Sequence, residues 1–600
     1  MQKSLEVLQK TFGYDEFRPG QAEIIDGVLA GQRTLGVMPT GGGKSLTYQI
    51  PALLLAGTTI VVSPLISLMQ NQVAELQLAG VDATLINSSL DFATLRDRQW
   101  AMQQGRYKLV YIAPERLEDP NFYQTLLETD VAMVVIDEVH VLSQWGHDFR
   151  PSYLHAVELI DQLPAKPLLM ALTATATARV QTDLEERLHI EKKVVTGFAR
   201  NNLILKIEKG LSDKEKQAYI LDYVKNHLNQ VGIIYAGTRK KVDELTQYLQ
   251  AENIKAVSYH AGMPDQARSA AQKAFLYDDV DVIVATNAFG MGINKTNVRY
   301  VIHATLPGSV EAYYQEIGRA GRDGLSSEAI LLYSPADIRL QRFFIDNGQN
   351  DDAAYRQNEY QKLQEMTNFA ATQMCLPRYI MQYFGEDMAD CGQCSNCTDQ
   401  RELVDVTEEA QKVLTNIYRM TQTGHQASKT TAVQVLRGKL PDKMAWTKFD
   451  QLSTYGLMAK TTLKRLNSFI DYLIADNYIQ MQGEYNSLSL TDLGAQVVKG
   501  QQEVRQRQAS TAQNYTRLTK VVGGALFETL RAKRLELARA AGNPPYTIFS
   551  DQTLMELSLK KPQTIEELLK INGVGPVKAE KYGEIFMEII NSETEGSEEV

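Results

Sequence analysis

A short apolar run, Leu35-Gly36-Val37-Met38, passes through Pro39 and Thr40 into Gly41-Gly42-Gly43-Lys44-Ser45, and an apolar-periodic stretch follows from Leu46 to Ile50. Strand, glycine turn and helix in that order leave few folds open. Phosphates need backbone N–H groups pointing inward, which glycines permit, a cation for the β and γ oxygens, and a hydroxyl for Mg²⁺. The expectation is that Thr40, Gly41, Gly43, Lys44 and Ser45 hold the phosphates of a nucleotide, with Ser45 on the metal. Met38 stands where the strict G-x-x-x-x-G-K-[ST] pattern has its first glycine. A chance glycine-rich turn is the alternative, and the strand before and helix after argue against it.

Further apolar runs repeat the pattern. Thr59–Val62 ends in Ser63-Pro64-Leu65, Leu109–Ile112 in Ala113-Pro114-Glu115-Arg116, Val131–Ile136 in Asp137-Glu138, and Leu168–Leu172 in Thr173-Ala174-Thr175-Ala176. Continuous apolar strands that each stop at polar or small residues predict a doubly wound parallel sheet with its ligands at the carboxyl edge. Two adjacent carboxylates there suit a hard cation, with Asp137 on Mg²⁺ and Glu138 orienting a water. The next segment, Ser143-Gln144-Trp145-Gly146-His147-Asp148-Phe149-Arg150, crowds aromatics, imidazole and guanidinium into one loop. A decorated surface loop is the bland reading. Stacking of Trp145 and Phe149 on nucleic-acid bases, worth about 1–3 kcal/mol per base, is the functional one, with His147 and Arg150 reporting the loop's position.

A chain of 600 residues exceeds one hydrophobic core, so several domains are expected. With 44% hydrophobic and 22% charged residues and no long apolar run, the composition is that of a soluble chain without a membrane span. The first residues carry no basic-then-apolar export pattern, which predicts the cytoplasm. A net charge of −10 argues against a basic coat over the whole molecule but leaves room for a local positive groove.

A second α/β unit follows Leu203, with apolar runs Val231–Tyr235, Val257–Tyr259, Val280–Ala285 and Val298–Ile302. It has neither a Gly-Lys-Ser loop nor paired carboxylates. It does carry Gln315-Glu316-Ile317-Gly318-Arg319-Ala320-Gly321-Arg322, whose two arginines three residues apart share a helix face. Guanidinium groups so placed can reach another domain's nucleotide when the domains close. Near the start of the chain, Tyr14, Arg18 and Gln21 could stack on a purine and bond its edge, although, taken alone, a turn before a helix is the better account of them.

The phosphate loop, Asp137-Glu138-Val139-His140, Thr173–Ala176, the run Ala285-Thr286-Asn287-Ala288-Phe289-Gly290-Met291-Gly292-Ile293 and Gln315–Arg322, in that order, resemble a superfamily-2 helicase. Phe17-Arg18-Pro19-Gly20-Gln21 and the Ser143–Arg150 loop narrow the resemblance to the RecQ DNA helicases, over residues 10 to 335 with little interruption. That resemblance implies an adenine clamp of Tyr14, Arg18 and Gln21 and catalytic roles for Lys44, Asp137, Glu138, His140, Gln315, Arg319 and Arg322, with Arg322 as the arginine finger. Departures are Val139 for a smaller residue, Ala236 where cysteine is frequent, and Asn201 for the proline of Arg-Pro-Asn. The last bears on the hinge between the lobes.

The four cysteines lie late in the chain: Cys375, then Cys391, Cys394 and Cys397 as two overlapping C-x-x-C turns. All are used, which predicts a structural Cys₄ zinc site with no open position, over a redox pair. The Arg378–Glu386 stretch also resembles the family's zinc subdomain. From Val404 to Ser510 helical patterns at Ala410–Met420 and Leu463–Leu473 and a hairpin around Gly483–Ser487 read as a winged helix. Thirteen Lys/Arg against ten Asp/Glu there is a weak sign of duplex DNA contact, and a structural or protein-binding winged helix is the alternative. A Gln-rich bridge leads to a terminal helical segment whose Gly573-Val574-Gly575 turn resembles the helicase-and-RNase-D C-terminal (HRDC) domain, with Tyr546 and Lys578 as DNA candidates. The acidic tail from Glu593 to Val600 is expected to be disordered.

The expected architecture is α/β: two RecA-like lobes (1–203 and 204–335), a zinc subdomain (336–403), a winged helix (404–510), an HRDC domain (520–590) and a tail (591–600). The expected activity is ATP-dependent, 3′-to-5′ DNA unwinding with ATP, Mg²⁺ and Zn²⁺, in repair, recombination and replication, including the SOS response. Single-stranded and forked duplex DNA are the expected partners, with a single-stranded-DNA-binding protein as a family-level one, for a nucleoid-associated monomer. The rival is a structure-specific DNA-binding or strand-annealing protein whose ATPase only switches affinity. An RNA helicase is disfavoured by the aromatic loop and the terminal domains.

Overall fold

The computed structural model describes residues 2–64, 66–87, 90–143, 145–146, 150–290, 295–348, 352–482, 487–507 and 524–595. The first lobe is built on seven parallel strands: β1 (Thr34–Val37), β2 (Thr58–Val62), β3 (Ala83–Ile86), β4 (Leu109–Ile112), β5 (Val131–Ile136), β6 (Leu168–Thr173) and β7 (Lys192–Val195). They lie in the order β3-β4-β2-β5-β6-β1-β7. The inner strands are buried throughout, as their unbroken Val/Ile/Leu runs require of a sheet covered on both faces. Because all seven strands run parallel, the phosphate loop after β1 and the carboxylates after β5 lie along one carboxyl edge, with only β6 between those two strands.

The second lobe holds six parallel strands: β8 (Leu203–Lys209), β9 (Val231–Tyr235), β10 (Ala256–Tyr259), β11 (Val282–Ala285), β12 (Val298–His303) and β13 (Ser327–Tyr333). Their order is β10-β11-β9-β12-β13-β8. An aromatic joint ties this lobe to both neighbours. Phe198, at the end of the first lobe, stacks on Phe384 of the zinc subdomain with ring centroids 4.4 Å apart. Tyr314 donates its hydroxyl to the Phe198 carbonyl at 2.7 Å, and the Glu386 carboxylate accepts the Phe198 N–H at 3.1 Å.

Two helices, Pro335–Asp346 and Ala353–Ala371, then lead to the cysteine-bearing segment. The winged-helix unit packs three helices, Thr407–Gln422, Lys429–Leu436 and Leu463–Ala475, against an antiparallel hairpin of Ile479–Gln482 and Ser487–Leu490. A second ladder, Leu403–Asp405 with Arg505–Arg507, closes the unit by pairing its entry with its exit. The hairpin's turn, the bridge at 508–523 and residues 291–294 lie outside the described residues. The HRDC-type unit has its own core around Leu530, Phe549, Leu557 and Phe586. Its last helix, Pro576–Glu595, continues into the first residues of the acidic tail, because nothing before Glu595 breaks a helix. No helix among the described residues is long and apolar enough to cross a membrane.

Candidate nucleotide site and its adjoining loop

Gly41 and Gly43 both adopt left-handed backbone angles (φ +82°), and Gly43 opens the helix Lys44–Leu54. Side chains at these two positions would be strained, which is the physical reason for the glycines. The loop stays half-exposed, so its N–H groups can still receive an anion. Lys44 reaches Glu138 across the edge, Nζ to Oε1 3.3 Å. Burial first, and then the neighbouring Glu138 charge, pushes the Asp137 carboxyl up to about 6, with Lys44 opposing both. A half-buried carboxylate held that high gains from a cation beside it, so Asp137 and the Ser45 hydroxyl fit the oxygen donors of a Mg²⁺ site.

Glu138 is itself left-handed (φ +52°), a conformation costing a non-glycine residue about 1–3 kcal/mol. It begins a short 3₁₀ turn, Val139–Leu142, that folds His140 back under the sheet. The fully buried His140 places Nδ1 2.9 Å from the Thr173 hydroxyl and 3.4 Å from Glu138 Oε2. Thr173 Oγ1 also accepts the Thr175 N–H at 3.2 Å. The carboxylate strand and the Thr173–Ala176 segment, separate in sequence, thus share one polar network.

On the other flank Arg18 donates to the Gly41 carbonyl and Gln21 Nε2 to the Gly43 carbonyl at 3.0 Å, while the Arg18 N–H bonds Gln21 Oε1 at 2.8 Å. Tyr14 remains 37% exposed beside them, as an aromatic face open to a base.

The second lobe closes over this edge. A Cβ built on Gly318 would lie 2.9 Å from Thr40 Cβ, and one built on Gly41 would lie 3.6 Å from Arg322 Cα. Arg319 is buried and Arg322 and Gln315 are half-buried. Burial, reinforced by Arg319 and Arg200, pushes the Arg322 guanidinium down to about 9, the mark of a cation crowded by cations. Arg18, Lys44, Arg200, Arg319 and Arg322 here outnumber the carboxylates of Asp137 and Glu138. A polyphosphate balances that excess.

Sequence reasoning passed over Arg200. Its guanidinium donates to the Thr40 carbonyl of the phosphate loop and to the Ala320 (2.9 Å) and Gly321 (3.0 Å) carbonyls of the arginine segment. Asn202 adds bonds to Gly321 (2.8 Å) and Leu325 (3.0 Å). Between them, the Asn201 carbonyl accepts a bond from Gln393 Nε2 at 3.1 Å. The side chains on either side of the missing proline therefore keep the contact between lobes. The signal was present in Arg200-Asn201-Asn202, a polar triplet at the joint between two sheets.

Of the aromatic loop, His147 and Phe149 lie outside the described residues. Trp145 is half-buried under Arg179, whose guanidinium carbon sits 3.1 Å from the ring centroid. Gly146 packs so tightly on the turn that a Cβ would stand 2.5 Å from the His140 carbonyl. Arg150 returns the chain by donating its N–H to Val141 at 2.9 Å.

The Sγ atoms of Cys375, Cys391, Cys394 and Cys397 all lie within 4.8 Å of one another. Backbone N–H groups of Cys391, Cys394 and Leu376 point at these sulfurs at 3.2–3.4 Å. Four clustered thiols with N–H donors supporting thiolate charge fit a closed tetrahedral Zn²⁺.

The terminal domain rests across both lobes. Gly573 N–H bonds the Gly13 carbonyl at 3.2 Å, the Tyr277 hydroxyl bonds the Gly542 carbonyl at 2.7 Å, and Arg539 pairs with Asp279 at 2.5 Å. Tyr546 is only 6% exposed in this interface, near Arg322 and Glu75. Lys578 is half-buried near Glu75, and burial holds its ammonium down at about 8. A DNA contact through Tyr546 therefore requires the domain to leave this position. In the winged helix, Lys460, Lys464 and Arg465 are exposed at the start of the third helix, with Arg465 paired to Glu409 at 2.9 Å.

Comparison with known proteins follows the same order along the chain. Residues 18–184 match the DEAD/DEAH box helicase family and 215–324 the helicase conserved C-terminal domain. Residues 335–398 match the RecQ zinc-binding family, 400–514 the RQC domain and 524–590 the HRDC domain. The chain is 45% identical over 597 residues to the ATP-dependent DNA helicase RecQ of Bacillus subtilis, covering 99% of each protein. It is 39% identical to the RecQ of Haemophilus influenzae (98% of this chain, 95% of that one). It is 33% identical to the RecQ-like DNA helicase BLM of Xenopus laevis, over 98% of this chain and 46% of the other.

Proposed function

Because the chain belongs to the RecQ family of ATP-dependent DNA helicases, we propose that ATP hydrolysis between its two lobes drives it 3′-to-5′ along single-stranded DNA into a forked duplex. The protein is an ATP-dependent DNA helicase that uses ATP, Mg²⁺ and Zn²⁺. The roles of its residues are our reading. Tyr14, Arg18 and Gln21 take the adenine, and Thr40 to Ser45 take the phosphates. Ser45 and Asp137 would hold Mg²⁺, which neutralises phosphate charge when bound. Glu138 orients the attacking water and accepts its proton, with His140 fixing the carboxylate. Arg319 and Arg322 stabilise charge on the transferred phosphoryl group. The zinc site supports folding. Trp145, His147, Phe149 and Arg150 meet the tracking strand, and the winged helix grips duplex DNA.

The observation that carries this reading is the meeting of Gly41 with the Arg322 backbone, bridged by Arg200. Phosphate loop and guanidinium are in reach only because the lobes are closed, so hydrolysis and lobe separation are linked. The test is strand displacement from a 3′-tailed duplex with ATP and Mg²⁺. The Lys44→Ala protein should still bind the DNA while ATP turnover falls on the order of 10²–10³-fold and displacement stops. Displacement that survives Lys44→Ala would refute the motor. Turnover without displacement in the unmutated protein would leave an ATP-switched DNA-binding or annealing protein. A fork in place of the tailed duplex tests the winged helix, and mass measurement in solution tests the monomer. Association with a single-stranded-DNA-binding protein, nucleoid location and a part in the SOS response follow from the same reading.

A further inference from the structure

Trp145 does not present a free face to DNA. The Arg179 guanidinium covers its ring at 3.1 Å. Arg179 stands in the first turn of the helix Ala178–Leu188, directly after the Thr173–Ala176 segment that His140 contacts. The neighbouring Gly146 is clamped from two sides. Its Cα faces the His140 carbonyl with no room for a side chain, and its own carbonyl accepts a 2.8 Å bond from Lys362 Nζ. Lys362 belongs to the zinc subdomain's long helix, is 5% exposed, and pairs with Glu359 at 2.8 Å. A lysine buried with its ammonium on a loop carbonyl is an uncommon investment for a surface loop, since burial of such a charge must be compensated by its partners.

We propose that Arg179 and Lys362 are the positioning residues that set how DNA activates this ATPase: Arg179 occupies Trp145 until a base displaces it, and Lys362 fixes the loop's backbone so that the exchange is felt at His140. The inference rests on the helicase reading and deepens it. A base and a guanidinium compete for one indole face, and both contacts are of similar strength. Release of Arg179 frees the first turn of the helix that follows Thr173–Ala176. With Gly146 pinned by Lys362, movement at Trp145 reaches the His140 carbonyl through one rigid neighbour. The zinc subdomain is thereby the loop's fixed support, which gives it a task in coupling beyond its own folding.

The test uses full-length protein and oligo(dT), reading the oligonucleotide concentration for half-maximal ATPase, the saturated rate, and Trp145 emission in a Trp100→Phe/Trp446→Phe background. In Arg179→Ala the half-maximal oligo(dT) concentration should fall about threefold or more, with Arg179→Lys between it and the unmutated protein. Emission of Trp145 should change on adding oligo(dT) in the parent and start from a different value in Arg179→Ala. Lys362→Met should lower the DNA-saturated rate at unchanged KM for ATP and unchanged zinc content, with Lys362→Arg recovering part of it. An unchanged half-maximal concentration in Arg179→Ala, or full stimulation in Lys362→Met, overturns the proposal. If the unmutated protein shows no stimulation by DNA, the helicase reading itself fails, and the two failures are distinct.

Discussion

The two lobes share a plan and divide the work unequally. In the first, strands end in groups left facing a common edge: the glycines after β1, Asp137 and Glu138 after β5, Thr173 at the end of β6. Its central ion pair is long, with Lys44 and Glu138 at 3.3 Å. In the second lobe most buried charges are already matched. His303 bonds Glu316 at 2.7 Å, Lys216 bonds Asp337 at 2.9 Å, and Lys295 and Arg299 pair with Asp278 and Asp323. Arg319 and Arg322 stand at the end that touches the phosphate loop, where Arg322 lies against the like charges of Arg319 and Arg200. One lobe is thus built to hold a polyphosphate, and the other is a settled scaffold that brings in positive charge when it closes.

That contrast breaks most severely at Arg322. If the second lobe contributes only to the transition state, Arg322→Ala should lower kcat on the order of 10³-fold or more while KM for ATP moves little. A change confined to KM would make Arg322 an ordinary binding group and erase the difference between the lobes. A smaller loss is expected at Arg200, which touches carbonyls on both sides rather than the nucleotide. Arg200→Ala removes charged hydrogen bonds worth about 1.5–3 kcal/mol each when fully felt. Its kcat should fall about ten- to a hundredfold, and ATP binding, a property of the first lobe, should persist in a direct nucleotide titration.

The first lobe's half of this arrangement was legible in the sequence because local chemistry dictates it. Gly41 and Gly43 are needed for backbone reasons, and Asp137-Glu138 ends an unmistakable buried strand. The strands Ala83–Ile86 and Lys192–Val195 were harder: the first is four residues long, and the second is an edge whose lysines mask its period. Both arginines of the closing segment could be named from their motif but were misplaced. The expected shared helix face does not form, because the helix Val310–Ile317 ends at Gly318 and Arg319 and Arg322 stand in the turns that follow. Arg200, Arg179 and Lys362 could not be named. Each acts through a partner more than 30 residues away, Thr40, Trp145 and Gly146 respectively, and nothing in a residue's own neighbourhood announces such a partner. Gly146 belongs with them, because its glycine is required by the His140 carbonyl and not by a turn. Tyr546 shows the converse, since an aromatic beside a domain's proline turn reads as a surface group, whereas domain docking buries it.

The smallest expected effect lies at Asn201, and it sharpens where the hinge resides. Asn201 is exposed, has no positive φ, and among the described residues bonds its neighbours through its carbonyl alone. Proline keeps a carbonyl, and residue 201 is the second residue of a turn closed by the Leu203 N–H on the Arg200 carbonyl at 3.0 Å, a position that favours proline. Asn201→Pro should therefore raise thermal stability by less than about 1 kcal/mol, through a stiffer unfolded chain, and leave DNA-stimulated ATP turnover within about twofold. A loss of turnover comparable to that of Arg200→Ala would show that the backbone at 201 has to bend during the cycle. The lobes would then be joined by a flexing main chain, and the guanidinium bridge would be secondary to it.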